Sequence, residues 1–238
     1  MINIGAMFNA YLLHRTSYSN SSLLVECFTR EHGRFPAIAK GVKGNKKHAQ
    51  ALLQPFNPIL IKFSGKGEVK TLSGYEQDAE APILKGKNIY CGFYLNEIMM
   101  RILARNDPHA DLFTHYENAL RELSATTDVE PVLRSFEVAL LNELGYGLLL
   151  EEDVETGEQI KHESLYTYEL EGGPREIANP DSNSINGSTL YALAGNIPYN
   201  DREKSQARRL MRRVLAHYLG DRPLKSRELF KSFSGNKI

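Results

Sequence analysis

Residues 10–29, AYLLHRTSYSNSSLLVECFT, hold two β-prone runs, 10–16 and 23–29, on either side of the polar turn cluster Ser17-Tyr18-Ser19-Asn20-Ser21-Ser22. Serine and asparagine side chains bond their own backbone, so such a cluster reverses the chain and the flanking runs read as neighbouring strands. Working outward, Glu31-His32-Gly33 is the next turn signal, and residues 34–39 form a third run. Residues 59–63 alternate apolar side chains with Lys62, and Ser64-Gly65-Lys66-Gly67 then turns into a fifth run at 68–72. Five short strands with glycines at the corners suit a small barrel or meander, and a five-stranded Greek-key barrel of the OB type is the natural candidate.

Beyond about residue 82 the apolar period changes from two to 3.6. Tyr94, Leu95, Ile98, Met99, Ile102 and Leu103 form one helical stripe, which ends at Asn106-Asp107-Pro108. Leu112, Phe113, Tyr116, Ala119, Leu120 and Leu123 form a second. A third begins at Glu130-Pro131, with proline in the first turn, and runs through Leu133, Phe136, Leu140 and Leu144 to Gly145. Residues 147–187 are acidic and turn-rich, with one strand expected at 165–170, and a long helix is expected over 201–219. The predicted fold class is therefore α+β: an OB-type barrel domain over 1–80, then a mainly helical domain over 81–238 carrying an irregular acidic insertion at about 147–187. The domain break falls between Glu76 and Gly86.

The 238 residues are 42% apolar and 24% charged, the composition of a globular chain. The sequence predicts no membrane span, no secretory signal and a cytoplasmic home. Cys27 and Cys91 lie far apart within apolar segments; a disulfide framework needs more cysteines than two, and a cysteine zinc site needs closely spaced pairs. The net charge of zero conceals segregation: residues 1–80 carry +4, residues 81–199 carry −11 and residues 200–238 carry +7. Basic ends around an acidic middle point to a polyanion at the ends.

Two basic stretches are candidate phosphate contacts. Lys40-Gly41-Val42-Lys43-Gly44-Asn45-Lys46-Lys47-His48 puts four lysines in a glycine-bearing loop between strands, and residues 30–66 hold eight basic residues against Glu31 alone. Lysines in a loop follow phosphates without fixing a sequence. Lys40, Lys43, Lys46 and Lys47, with Arg34 in support, are the predicted phosphate contacts of the barrel. Arg208, Arg209, Arg212 and Arg213 line the polar side of the last helix and would extend that track. Phe28, Phe35, Phe56 and Phe63 are the candidate base-stacking aromatics, although alternation assigns most of them to the core.

Catalytic constellations are poor. The seven histidines are scattered, and neither a His-x-x-x-His pair, a Gly-x-Ser-x-Gly elbow nor a phosphate-binding Gly-x-x-x-x-Gly-Lys-Ser/Thr loop occurs. The acidic run Glu151-Glu152-Asp153-x-Glu155 imitates a divalent-metal site but reads better as a solvated loop. The expectation is a protein that is not an enzyme and needs no cofactor.

Several strings together resemble the RecO family over nearly the whole chain. They are GRFPAIAKGVK at 33–43, LQPF at 53–56 followed by Pro58, GEVKTL at 67–72, FEVALLNELGYG at 136–147 and PLKSRELF at 223–230. The resemblance implies an OB domain followed by a helical domain, binding of single- and double-stranded DNA, and annealing of complementary strands. It also implies partners: RecR, the acidic C-terminal tail of the single-stranded-DNA-binding protein SSB and, indirectly, RecA. Many RecO-like proteins carry a four-cysteine zinc module after the Leu-Gly-Tyr helix end. The matching stretch here, 147–186, has no cysteine. No metal is expected, and Leu148, Leu149, Leu150, Leu165, Tyr166 and Tyr168 are expected to hold that region together. For the SSB tail, isolated arginines suggest a groove walled by the second and third helices of the helical domain. Leu133 would supply part of the wall, and Arg121 or Arg134 would meet the terminal carboxylate. Rival readings are an RNA- or tRNA-binding OB module, a metal-dependent nuclease using Glu152 and Asp153, and a scaffold without DNA affinity.

Overall fold

The structure is a computed structural model that describes residues 6–43, 47–220 and 222–229, with the backbone alone at Lys47. The chain divides into two compact units, residues 1–125 with 224–238, and residues 126–223.

In the first unit, β1 (Phe8–Ser17), β2 (Leu23–Thr29), β3 (Gly33–Ala39), β4 (Ile59–Ser64) and β5 (Lys70–Gln77) close a barrel in the order β1-β2-β3-β5-β4. Helix α1 (Lys47–Leu52) sits between β3 and β4 in sequence, and β3 pairs β5 in parallel while the other pairings are antiparallel. This is the predicted OB-type barrel. Strand alternation fills it: Ala10 and Leu12, Val25 and Cys27, Phe35 and Ala37, Ile59 and Ile61 all belong to one buried cluster, joined by Val42, Ala49 and Leu53. The β1 register shifts between Leu12 and His14, and Tyr11 and Leu13 are buried as well, so this strand is covered on both faces.

The covering elements are α2 (Lys87–Ile102) and α3 (Ala110–Ala125). Asn96 on α2 donates to the Leu13 carbonyl at 2.8 Å and accepts from the Tyr116 hydroxyl at 2.5 Å. Tyr116 meets Tyr11 edge-on, and Phe113 lies against Phe28. Burial, reinforced by Glu117, pushes the Tyr11 phenol above its ordinary pKa, which keeps this packed wall uncharged. Gly33, at φ 63°, lets the β2–β3 turn approach residue 107; a Cβ there would lie 1.9 Å from the Asp107 carbonyl oxygen.

Residues 224–229 return to the first unit. The Glu97 carboxylate on α2 accepts from the Lys225 and Ser226 backbone N–H groups at 3.0 and 2.9 Å and from the Ser226 hydroxyl at 2.7 Å. Leu224 is buried, and the Arg227 guanidinium lies over the Tyr94 ring.

The second unit contains α4 (Glu130–Glu143), β6 (Leu165–Glu169), β7 (Gly173–Ile177), β8 (Ile185–Asn186), α5 (Gly187–Leu193) and α6 (Asp201–Leu219). Its antiparallel sheet has the order β7-β6-β8, so the stretch expected to contribute one strand contributes three. Helix α6 opens with a capping box, in which Asn200 accepts from the Glu203 N–H and Glu203 accepts from the Asn200 N–H.

The acidic run is not a solvated loop throughout. Asp153 is buried, and its carboxylate accepts from the N–H groups of Glu155 at 2.8 Å, Thr156 at 3.0 Å and Glu176 at 2.5 Å. Burial alone would raise its pKa, but those amides outweigh it and hold the carboxyl below its ordinary value. Asp153 thus ties the 153–158 turn to β7. Of the side chains expected to hold this region, Leu150, Tyr166 and Tyr168 are buried, whereas Leu149 is 55% exposed.

Candidate nucleic-acid interface

The barrel's loops are part of its exposed polar surface, together with strand residues such as Ser64 and Ser73. Two of the loops are stitched together: the Lys43 N–H donates to the Ser21 carbonyl at 3.1 Å, and Lys43 Nζ donates to the Ser19 carbonyl at 2.5 Å. The β1–β2 turn therefore forms one surface with the segment that follows β3. Lys40 is exposed beside it. Neither residues 14–25 nor residues 32–67 contain a single Asp or Glu. These two segments offer a polyanion lysines, hydroxyls and backbone and contribute no carboxylate to repel it.

Charge also sorts by structural unit. The first unit carries nineteen Lys/Arg against twelve Asp/Glu, a net +7, and the second carries ten against seventeen, a net −7. The arginine-rich α6 thus belongs to the acidic unit, which its own sequence neighbourhood does not reveal.

The predicted contacts fare unequally. Lys40 and Lys43 lie on the stitched loops; Lys46 and the Lys47 side chain lie outside the described residues. Arg34 is half-buried and structural: it pairs with Glu26 across the strands and donates to the Leu103 carbonyl at 2.8 Å. On α6, Arg208 pairs with Glu130 at 3.1 Å. Arg209 donates to the Ser184 carbonyl at 2.5 Å and Arg213 to the Tyr168 carbonyl at 3.2 Å. Arg212 is exposed. Arg208, Arg209 and Arg213 therefore tie the helix to its own unit.

The residues expected to meet a partner's carboxylate are separated by the division into units. Arg121 is exposed on α3 in the first unit and bonds Asn118 at 2.9 Å. Leu133 and Arg134 belong to α4 in the second unit, and both are buried. Arg134 donates to Glu137 at 2.8 Å, with 6% and 0% of the two side chains exposed. Its guanidinium is an internal partner rather than a group on a groove rim.

The aromatic candidates lie mostly in the core, as alternation expects. Phe28, Phe35 and Phe63 are core residues, and Phe56, at φ 72°, packs on Gly92 and against Phe93. The most exposed described aromatic of the barrel is Tyr18, 59% exposed in the β1–β2 turn. Its signal in the sequence was one ring inside an otherwise Ser/Asn cluster. Among the described residues no group of three or more His, Cys, Asp or Glu side chains converges. Among them no helix is long and apolar enough to cross a membrane.

Comparison with known proteins gives the same layout. The model described as Recombination protein O N terminal matches residues 6–78, and Recombination protein O C terminal matches residues 84–228. The chain is 45% identical to DNA repair protein RecO of Methylococcus capsulatus, over 95% of this chain and 93% of the relative. It is 42% identical to DNA repair protein RecO of Nitrosospira multiformis, over 94% of each chain. It is 44% identical to that of Alkalilimnicola ehrlichii, over 94% of this chain and 90% of the relative. The closed barrel, the helical region behind it and these matches over both together place the chain in the RecO family.

Proposed function

We propose that this protein is a recombination mediator in DNA repair. It binds single- and double-stranded DNA, anneals complementary strands and, with RecR, helps load RecA on DNA coated with SSB. The observation that carries the reading is the carboxylate-free surface formed by the β1–β2 turn and the Lys40–Lys43 segment, on the unit with net charge +7. Two DNA strands repel each other through their phosphates. A basic surface that holds both releases their counterions and lowers the barrier to pairing. No bond is made or broken in such a step, so the reading asks for no catalytic group and no cofactor. Lys40 and Lys43 are the first phosphate contacts, continued by Lys46 and Lys47. Arg212, exposed on α6 of the second unit, is a separate phosphate contact. Arg34, Arg208, Arg209 and Arg213 shape the surfaces from which these groups project. The acidic C-terminal tail of SSB is a partner through Arg121, whose exposed guanidinium suits a terminal carboxylate. The protein works at the nucleoid in the cytoplasm.

The test is annealing of two complementary fluorescently labelled oligonucleotides at low salt, with and without the protein. The expected result is faster pairing, reversed by added salt and weakened in Lys40→Ala/Lys43→Ala. Pairing at the protein-free rate would overturn the reading.

A further inference from the structure

Tyr18 has no evident role in folding. Its ring is 59% exposed, while Tyr11, Phe28, Phe35 and Phe63 in the same barrel are at most 5% exposed. A single exposed apolar side chain is ordinary on any surface. What sets this one apart is its setting. The Tyr18 N–H donates to the Ser22 carbonyl at 3.1 Å, which holds the turn closed. The two Lys43 bonds, to Ser21 and Ser19, fix that turn beside the basic segment. The ring is thus presented to solvent from a braced turn. Lys43 bonds the same turn at Ser19 and Ser21, and residues 14–25 carry no carboxylate.

An aromatic face next to cations that track a backbone is the arrangement by which single-stranded nucleic acid is held without sequence preference. We propose that Tyr18 stacks on a base of single-stranded DNA whose phosphates run along Lys40 and Lys43. The proposal rests on the reading of the barrel as a DNA-binding surface. It adds a discriminating residue to that surface. A duplex offers the same phosphates but keeps its bases stacked on one another, so Tyr18 distinguishes single strands from duplex where lysines cannot. A ring at this position would also hold one strand with its bases exposed, as pairing with a complement requires.

The chain contains no tryptophan, so Tyr18→Trp creates a sole reporter at the site. The expected result is quenching of its emission by an oligo-dT single strand and little change with a duplex of equal length. Tyr18→Ala is expected to lose about tenfold in single-strand affinity with duplex affinity retained, and Tyr18→Phe to bind as the wild type does. Because the side chain stands in solvent, all three variants should melt as the wild type does. If single strands bind Tyr18→Ala as tightly as wild type and leave Tyr18→Trp unquenched, the stacking role is refuted while the DNA-binding reading stands. If the wild type binds neither single strands nor duplex at low salt, both fall together.

Discussion

Arg134→Ala separates a buried structural arginine from one waiting at a groove rim. In an exposed pair three residues apart on a helix, removing one partner costs at most about 0.5 kcal/mol. Here the guanidinium and the Glu137 carboxylate are 2.8 Å apart, 6% and 0% exposed, so the substitution withdraws the cation from an anion already removed from water. That loss costs about 3–5 kcal/mol, because the carboxylate remains in the interior. For a chain of this length about 1 kcal/mol moves Tm by roughly 2–4 °C, so the expected fall is on the order of 10 °C. The assay is thermal unfolding followed by circular dichroism, with Arg134→Met/Glu137→Leu as the companion. Removing both charges together should recover most of the loss, since apolar side chains of similar volume replace a buried pair at little cost. Arg121→Ala, at an exposed position, should melt as the wild type does. A Tm for Arg134→Ala within about 2 °C of wild type would refute the burial argument and return Arg134 to the surface. The same measurement guards against misreading a partner-binding defect: loss of peptide binding in Arg134→Ala reports a contact only if the fold has survived.

Two further outcomes follow from single carboxylates that accept backbone amides. Asp153→Ala should raise hydrogen-exchange rates at Glu155, Thr156 and Glu176 on the order of tenfold to a hundredfold, leaving the barrel amides unchanged; equal protection would show that the turn holds without it. Glu97 gives a pH dependence. Burial would raise its pKa, but the Ser226 amide and hydroxyl, the Lys225 amide and Arg101 outweigh burial and hold it below its ordinary value. A depressed folded pKa stabilises the return segment above the unfolded carboxylate value, and that contribution is lost as pH falls through the folded one. Proteolysis near residues 224–229 by an acid-active protease should therefore increase on acidification in wild type, and Glu97→Gln should be cut readily at neutral pH. Cleavage of wild type that is unaffected by acidification would contradict the role of Glu97.

Much of the fold was legible because it is written in local periodicity. The β2 run was read at 23–29, as it is found, and the third strand needed only the addition of Gly33. Helix α4 announced itself by Pro131 and ended before Gly145, which takes a positive φ of 77°. Helix α6 was read at 201–219 from periodicity, as it is found, although the Asn200–Glu203 capping box that opens it was not read. What sequence could not carry was partnership between distant segments. The parallel pairing of β3 with β5, the cover that α2 and α3 give to Tyr11 and Leu13, and the return of residues 224–229 to Glu97 all depend on non-local packing. The arginine candidates were limited in the same way. Arginine identity is visible in a sequence, but whether Arg34 or Arg134 faces phosphate or Glu26 or Glu137 is decided by what folds over it. That residues 147–186 hold no cysteine was plain in the sequence. That Asp153 draws three amides together in that stretch was not, because backbone acceptors leave no sequence mark.

The central claim is that the barrel's stitched loops hold DNA through phosphate contacts, and the salt dependence of binding tests it most directly. The measurement is the affinity of the whole protein for a labelled single strand across a range of salt concentrations, for wild type and for Lys40→Ala/Lys43→Ala. Each phosphate contact contributes about 0.7 to the slope of log affinity against log salt concentration for single strands. The account predicts a steep wild-type slope, reduced by about 1.4 in the double variant, with weaker binding at low salt. An unchanged slope and affinity in the double variant would place the DNA elsewhere and contradict the account.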